Sequence, residues 1–190
     1  MIPSNALYSL VVTGLTIHFI AFLTDIGIEP IKAAGLLAIR AAVSIPARFF
    51  GGLISDRLKK GHLQFLLAGA YGLQGVGFLF FLLHPTTTMI YVWMILYGIG
   101  HGVALVLTVL IRGRYFGRKS FGSIRGVSML VITPLGIVAP IYAGWAYDTT
   151  GSYISTFTLF TALLIFSSVI MLVASPPKPP DQVTDVDKIL

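Results

Sequence analysis

Two arginines lie inside an apolar stretch of the chain and could bind an anion there. Arg40, Ser44 and Arg48 are spaced four residues apart, so they share one face of a helix. A charge within a bilayer costs at least ~2.5 kcal/mol, and it rarely persists without a task or a partner. The planar guanidinium fork binds carboxylates in a bidentate way and stays charged. The spacing therefore predicts a site for a small organic anion at Arg48 and Arg40, unless the side chains snorkel or bond backbone carbonyls instead.

Two histidines are the other titratable groups within apolar stretches, and we include His18 and His101 among the candidate substrate-binding residues. Histidine can pass a proton near neutral pH, or it can remain a neutral hydrogen-bonding group between helices. A pair such as Ser128 and His101 leaves an intramembrane enzyme as a remote alternative. The chain contains no HExxH or GxSxG motif and no carboxylate pair within a span. We therefore expect no enzyme activity, no cofactor and no metal site.

The elements that must position these residues are membrane-spanning helices. The 190 residues are 56% hydrophobic and 11% charged, whereas a soluble domain carries about 25% charged residues. A spanning helix needs about 20 mostly apolar residues. We predict an all-α membrane protein, a bundle over residues 1–175 followed by a disordered cytoplasmic tail over 176–190. The six predicted spans are about 7–24, 33–54, 63–83, 88–111, 127–147 and 154–174.

Basic residues in the connections between spans predict the orientation. Eight lysines and arginines follow the second and fourth spans, whereas the opposite connections hold only Lys32. The positive-inside rule places both basic loops and both termini in the cytoplasm, in a cell or inner membrane. This topology accounts for the net charge of +6, so we expect a lipid bilayer as the partner and no nucleic acid. The eight residues are Arg57, Lys59, Lys60, Arg112, Arg114, Arg118, Lys119 and Arg125.

The segment after the second span, Gly-Gly-Leu-Ile-Ser-Asp-Arg-Leu-Lys-Lys-Gly, resembles the loop motif of the major facilitator superfamily. The resemblance implies a gating role for Gly52, Asp56, Arg57, Lys60 and Gly61, which in that family latch the cytoplasmic face between two halves. Asp56 ends a helix, where the helix dipole disfavours an anion. It therefore needs a partner, either a nearby arginine or the N-terminus of another helix, and the resemblance places that helix in the other half.

Further stretches are similar to one branch of that superfamily, which contains oxalate–formate antiporters and monocarboxylate transporters. Arg48 stands eight residues before Asp56, as does the arginine that binds the substrate carboxylate in that branch. Residues 18–27, 100–102 and 114–126 also resemble it. One departure concerns the oxalate exchanger, whose fifth-span lysine has no counterpart in residues 127–147. The resemblance implies an antiporter or symporter of a small organic anion, and a monocarboxylate is favoured over a dicarboxylate.

Members of this superfamily contain two six-helix halves around a central cavity. The six predicted spans are similar to the C-terminal half. This implies a partner, an N-terminal six-helix half that is either fused upstream or separate, and transport by alternating access. The alternative is a truncated or split-gene fragment with no transport activity alone.

Overall fold

The computed structural model describes residues 2–58 and 60–174, and within that range it leaves out the side chains of residues 60 and 116–121. The described chain is helical, and the predicted tail over 176–190 lies outside it. The elements are α1 (Ile2–Asp25), α2 (Pro30–Arg57), a short 3-10 helix (Lys60–His62), α3 (Leu63–Leu83), α4 (Thr87–Thr150) and α5 (Ile154–Val173).

Helix α4 contains two membrane spans rather than one. A straight helix of 64 residues would be about 96 Å long, three times the hydrocarbon thickness of a bilayer. Its two apolar parts are Thr87–Tyr115, here called the first limb, and Gly122–Thr150, the second limb. With α1, α2, α3 and α5 they give six helices in the described residues that are long and apolar enough to cross a membrane. The predicted fold class is therefore confirmed.

Contacts with α1 show that the two limbs run in opposite directions. In the first limb, Trp93 packs on Phe19, while His101 eight residues later bonds Tyr8. The first limb is therefore antiparallel to α1. The second limb is parallel to α1, so the chain reverses its direction between the two limbs. Two contacts show the parallel direction: His18 with the Pro140 carbonyl, and Asp25 with the Tyr147 hydroxyl.

The first limb of α4 occupies the centre of the bundle and contacts α1, α2 and α3. Its Trp93 ring stacks on Phe78 and Phe81, with ring centroids 4.2 and 5.0 Å away. Phe22 and Phe157 extend this aromatic cluster into α1 and α5. Large aromatic surfaces packed in this way fix the positions of α1, α3 and α5 around the limb that carries His101.

Glycines on the first limb bring α2 and α3 close to it. A Cβ added at Gly98 would lie 2.8 Å from the Arg40 carbonyl oxygen, and one added at Gly102 would collide with the Ser44 carbonyl oxygen. A Cβ at Gly100 would collide with the backbone of α3 in the same way. The two neighbours are therefore pressed against opposite sides of one helix, and only glycine permits this approach.

We expect Gly102→Ala to destabilise the bundle by about 1–3 kcal/mol, because the added methyl group must push α2 away from the first limb. Thermal unfolding of the purified chain in detergent, followed by tryptophan fluorescence, measures the change. The matched control is Gly69→Ala in α3, where a Cβ would meet open space. Replacing a mid-helix glycine there should leave stability unchanged or slightly higher. Equal melting temperatures for the two variants would contradict the proposed close contact.

The helices extend beyond the apolar runs at most of their ends. The third span occupies Leu63–Leu83, while the fourth continues four residues past its predicted end at residue 111. Arg112 and Arg114, which the sequence placed in a loop, therefore belong to helical backbone. Arginines near a span end are tolerated because their long side chains reach polar partners at the interface.

Candidate functional site

Helix α2 carries Arg40, Ser44 and Arg48, and the structure places these three side chains in different environments. Ser44 is buried against the first limb and donates to the Ala41 carbonyl at 2.8 Å. Arg40 is half-buried, whereas Arg48 is exposed. The helical rise separates the two arginines by about 12 Å along the axis. The three residues thus comprise a serine that faces the interior of the bundle and two arginines with different exposure.

Arg40 is turned towards the interior of the bundle. Its guanidinium carbon lies 5.5 Å from the centroid of the Tyr97 ring, in the range of a cation–π contact. Its Nη1 atom is buried and has no hydrogen-bond partner among the described residues. Neither this arginine nor Arg48 forms an ion pair within the part of the chain that the structure describes. The aromatic face stabilises the Arg40 charge without neutralising it.

His101 links the Arg40 environment to α1. Its ring stacks on Tyr97 with centroids 6.0 Å apart and an interplanar angle of 10°. Its Nδ1 lies 2.9 Å from the Tyr8 hydroxyl. Tyr8 in turn stacks on Tyr71, whose hydroxyl donates to the Asn5 side chain at 2.6 Å. An aromatic and hydrogen-bonded network thus crosses the bundle from α2 to α1.

Sequence reasoning found only part of this network. His101 was among the predicted site residues, but Tyr8 was not. It is 93 residues from His101, and no spacing in the sequence connects the two. The Tyr97 ring lies between His101 and Arg40, with which it makes an aromatic and a cation–π contact respectively. His101 is therefore the predicted histidine that lies near Arg40.

His18 lies in a separate environment between α1 and the second limb. Its Nε2 is 3.0 Å from the Pro140 carbonyl oxygen and its Nδ1 is 3.2 Å from the Tyr153 hydroxyl. A carbonyl can only accept, so Nε2 carries the hydrogen and the Tyr153 hydroxyl donates to Nδ1 in the neutral tautomer. Both nitrogens are satisfied by the protein. Its hydrogen bonds thus hold helices together and do not reach Arg40 or His101.

Asp56 has a partner within this chain. Arg114 donates to its Oδ1 at 2.7 Å and to the Ser55 carbonyl at 2.8 Å. Of the two partners expected for Asp56, a nearby arginine or the N-terminus of another helix, the structure shows the nearby arginine. The acceptors at the end of α2 are a carboxylate and free carbonyls, and a guanidinium fork at the end of the first limb reaches both.

The other residues of the loop motif lie on both sides of Asp56 along the chain. Gly52 faces Val106 on the first limb, and a Cβ there would be 3.9 Å from that side chain. Arg57 lies in the last turn of α2. Lys60 and Gly61 belong to the following 3-10 helix, and Gly61 faces open space. The motif thus forms the connection at which α2 ends and α3 begins.

Ser128 and His101 do not form the pair considered for an enzyme. The Ser128 hydroxyl donates to the Ile124 carbonyl at 2.7 Å, and the described side-chain bond of His101 is to Tyr8. Nothing in this geometry activates the serine as a nucleophile, because that role needs a base within hydrogen-bond reach.

The fold and the site define a polytopic helical membrane protein with two unneutralised arginines on one helix. The sequence matches the model of the Major Facilitator Superfamily over residues 1–189, so the chain belongs to that family. The resemblance inferred from the loop motif is thereby confirmed.

Two of the three relatives described here are monocarboxylate transporters, the branch expected from the arginine position. The chain is 29% identical to monocarboxylate transporter 12-B of Danio rerio over 82% of its own length and 33% of the relative. It is 25% identical to monocarboxylate transporter 13 of Bos taurus over 89% of this chain and 41% of the relative. It is 26% identical to the uncharacterized transporter YycB of Bacillus subtilis over 73% of this chain and 34% of the relative. The chain thus spans about a third of the length of these relatives.

Proposed function

We propose that this chain is the C-terminal half of a secondary transporter that moves a small organic anion, a monocarboxylate, by alternating access. The single observation that carries the proposal is the position of Arg48. It is exposed on a helix face that other elements of the chain leave uncovered. An arginine on a lipid-facing surface is expensive, so this face requires a second wall and an anion.

Two spans have the open surface that a second wall would cover. Only 17% of the residues in the most apolar window of α2 and of the second limb are buried, against 44–50% in the other four spans. On α2 the uncovered side chains around Arg48 are Ile45, Phe49, Phe50, Leu53 and Ile54. A six-helix N-terminal half, fused or separate, fits this surface, because the halves of this family enclose the substrate between them.

The chemistry of Arg48 favours a monocarboxylate. A single exposed guanidinium can form a bidentate pair of hydrogen bonds with one carboxylate. The second limb carries no lysine, so a second cation at the matching position is lacking. The monocarboxylate transporters among the relatives agree with this assignment. Arg40, held over Tyr97, supplies positive potential from inside the bundle.

A second candidate is a truncated or split-gene fragment that does not transport by itself. It is favoured by the exposed face of α2 and by the share of each relative that the chain covers. This alternative retains the same fold and the same arginines, and differs only in whether a second half is available.

The proposal is tested by uptake of labelled propionate into proteoliposomes that contain this chain joined to an N-terminal half. Saturable uptake that excess unlabelled propionate suppresses, and that neutral propionamide does not suppress, would support the assignment. Absence of uptake for propionate, benzoate and other small monocarboxylates would contradict it.

We expect both basic connections to lie in the cytoplasm, because the excess of lysine and arginine follows the second and fourth spans. The chain has no native cysteine, so Lys60→Cys and Lys119→Cys each introduce a unique thiol. An impermeant maleimide should label them only after the cells are opened. Ile154→Cys, at the other end of the bundle, is the control that should react from outside. Labelling of the two loop cysteines in intact cells would reverse the orientation.

A further inference from the structure

A cavity of about 260 Å³ lies between α1 and the two limbs of α4, away from the uncovered face of α2. Most of its wall is apolar, formed by side chains such as Val12, Leu105 and Met129. Arg112, Thr108 and His101 also line it. The cavity is smaller than the 300–1,000 Å³ typical of drug-sized ligands, so it suits a molecule of metabolite size.

Arg112 gives this cavity a positive charge that no described residue neutralises. Its side chain is half-buried and forms no ion pair within the described residues. Partial burial of a guanidinium without a counter-charge is unfavourable, so an anion that enters the cavity would stabilise it. The cavity therefore combines an apolar wall with a guanidinium group that can bind an anion.

We propose that this cavity is a second binding site, which takes a small monocarboxylate with an apolar body and holds its carboxylate on Arg112. A guanidinium fork recognises a carboxylate in a bidentate way, and the apolar wall recognises the remainder of the molecule. A dicarboxylate would place a second charge against that wall, and a neutral amide would leave Arg112 unpaired.

The position of the cavity relates it to Arg48. Arg114, two residues after Arg112, donates to the Ser55 carbonyl. Ser55 lies about 10 Å from Arg48 along the axis of α2. Arg112 is therefore roughly 8 Å closer than Arg48 to the end that carries the basic connections. His101 lines the cavity and stacks on Tyr97, the ring that contacts Arg40. A carboxylate that leaves Arg48 towards this end has Arg112 as its next cationic partner; that role in transport rests on the proposed function, whereas binding does not.

The test measures binding to the purified chain and needs no transport. Met129→Cys places a single thiol in the cavity wall, and its reaction with N-ethylmaleimide is followed by mass spectrometry at increasing benzoate concentrations. We expect benzoate to protect the thiol and neutral benzamide to protect it poorly. Adding Arg112→Gln should raise the half-protecting benzoate concentration at least about tenfold, the effect of losing a charge-assisted hydrogen bond.

Two controls separate this site from the one on α2. Lys32→Gln removes a positive charge at the opposite end and should leave protection unchanged, and Arg48→Gln should also leave most of it. Ser9→Cys is a second reporter in the same wall if Met129→Cys does not fold. The inference is overturned if Arg112→Gln leaves protection intact, if benzamide protects as well as benzoate, or if Arg48→Gln alone abolishes protection. Protection by benzoate without any propionate uptake would instead contradict only the proposed function.

Discussion

Arg48→Ala is expected to abolish anion uptake by the complete transporter while the protein still reaches the membrane. Arg48 is exposed on the surface of α2, so its removal leaves no cavity in the packed bundle. Truncating one partner of a desolvated charge pair costs about 2–5 kcal/mol, which corresponds to a loss of roughly 30-fold or more in apparent affinity. The measurement is initial uptake of labelled propionate, normalised to the amount of protein in the membrane.

The matched variants test whether geometry or charge is needed. Arg48→Lys should restore little uptake, because a point charge does not reproduce the bidentate fork. Lys32→Ala removes a cation that pairs with Glu29 at 3.1 Å on an exposed surface, and it should leave uptake unchanged. Full uptake by Arg48→Ala would remove this residue from the site and favour the interpretation that it only snorkels towards the interface.

We expect no anion uptake by liposomes that contain this chain alone. Its uncovered α2 face would meet lipid, with Arg48 among apolar side chains, at a cost of several kcal/mol on insertion scales. A parallel homodimer would rebuild two walls, because the two halves of this family are related by an axis along the membrane normal. Such a dimer would place four arginines around one cavity, a strong repulsion without bound anions. We therefore rank an inactive half above a working homodimer.

The experiment compares liposomes that hold the chain alone with liposomes that also hold a separately expressed N-terminal half. We expect saturable propionate uptake only in the second preparation. The Asp56–Arg114 pair is internal to the chain, so the end of α2 should be equally ordered in both preparations. Saturable uptake by the chain alone that disappears in Arg48→Ala would show that one half is sufficient and would contradict this prediction.

The class of the protein could be read from the sequence because the physics involved is local. A span needs a long apolar run, and the excess of basic residues marks particular connections, so six spans follow from counting residues along the chain. The loop motif and the position of Arg48 relative to Asp56 are also local, and they identified the family. Helical periodicity correctly placed Arg40, Ser44 and Arg48 on one broad face.

The environment of each site residue was decided by tertiary packing. Gly98 and Gly102 set how close the first limb approaches α2, and this packing buries Ser44 and leaves Arg48 exposed. Helical spacing fixes the angle between side chains on one helix but not how that helix is rotated against its neighbours. The sequence could therefore not show that Arg40 lies over Tyr97 while Arg48 remains open.

Long-range pairs account for the remaining differences. Asp56 meets Arg114 across 58 residues, and Tyr8 meets His101 across 93, because neighbouring helices bring their polar atoms to the same depth. A buried polar atom takes whichever partner the packing brings within about 3 Å, and sequence distance has no part in that choice. The sequence alone determined which residues carry charge inside the membrane. Only the tertiary structure decided which of those charges are paired, which lie against aromatic rings, and which remain exposed.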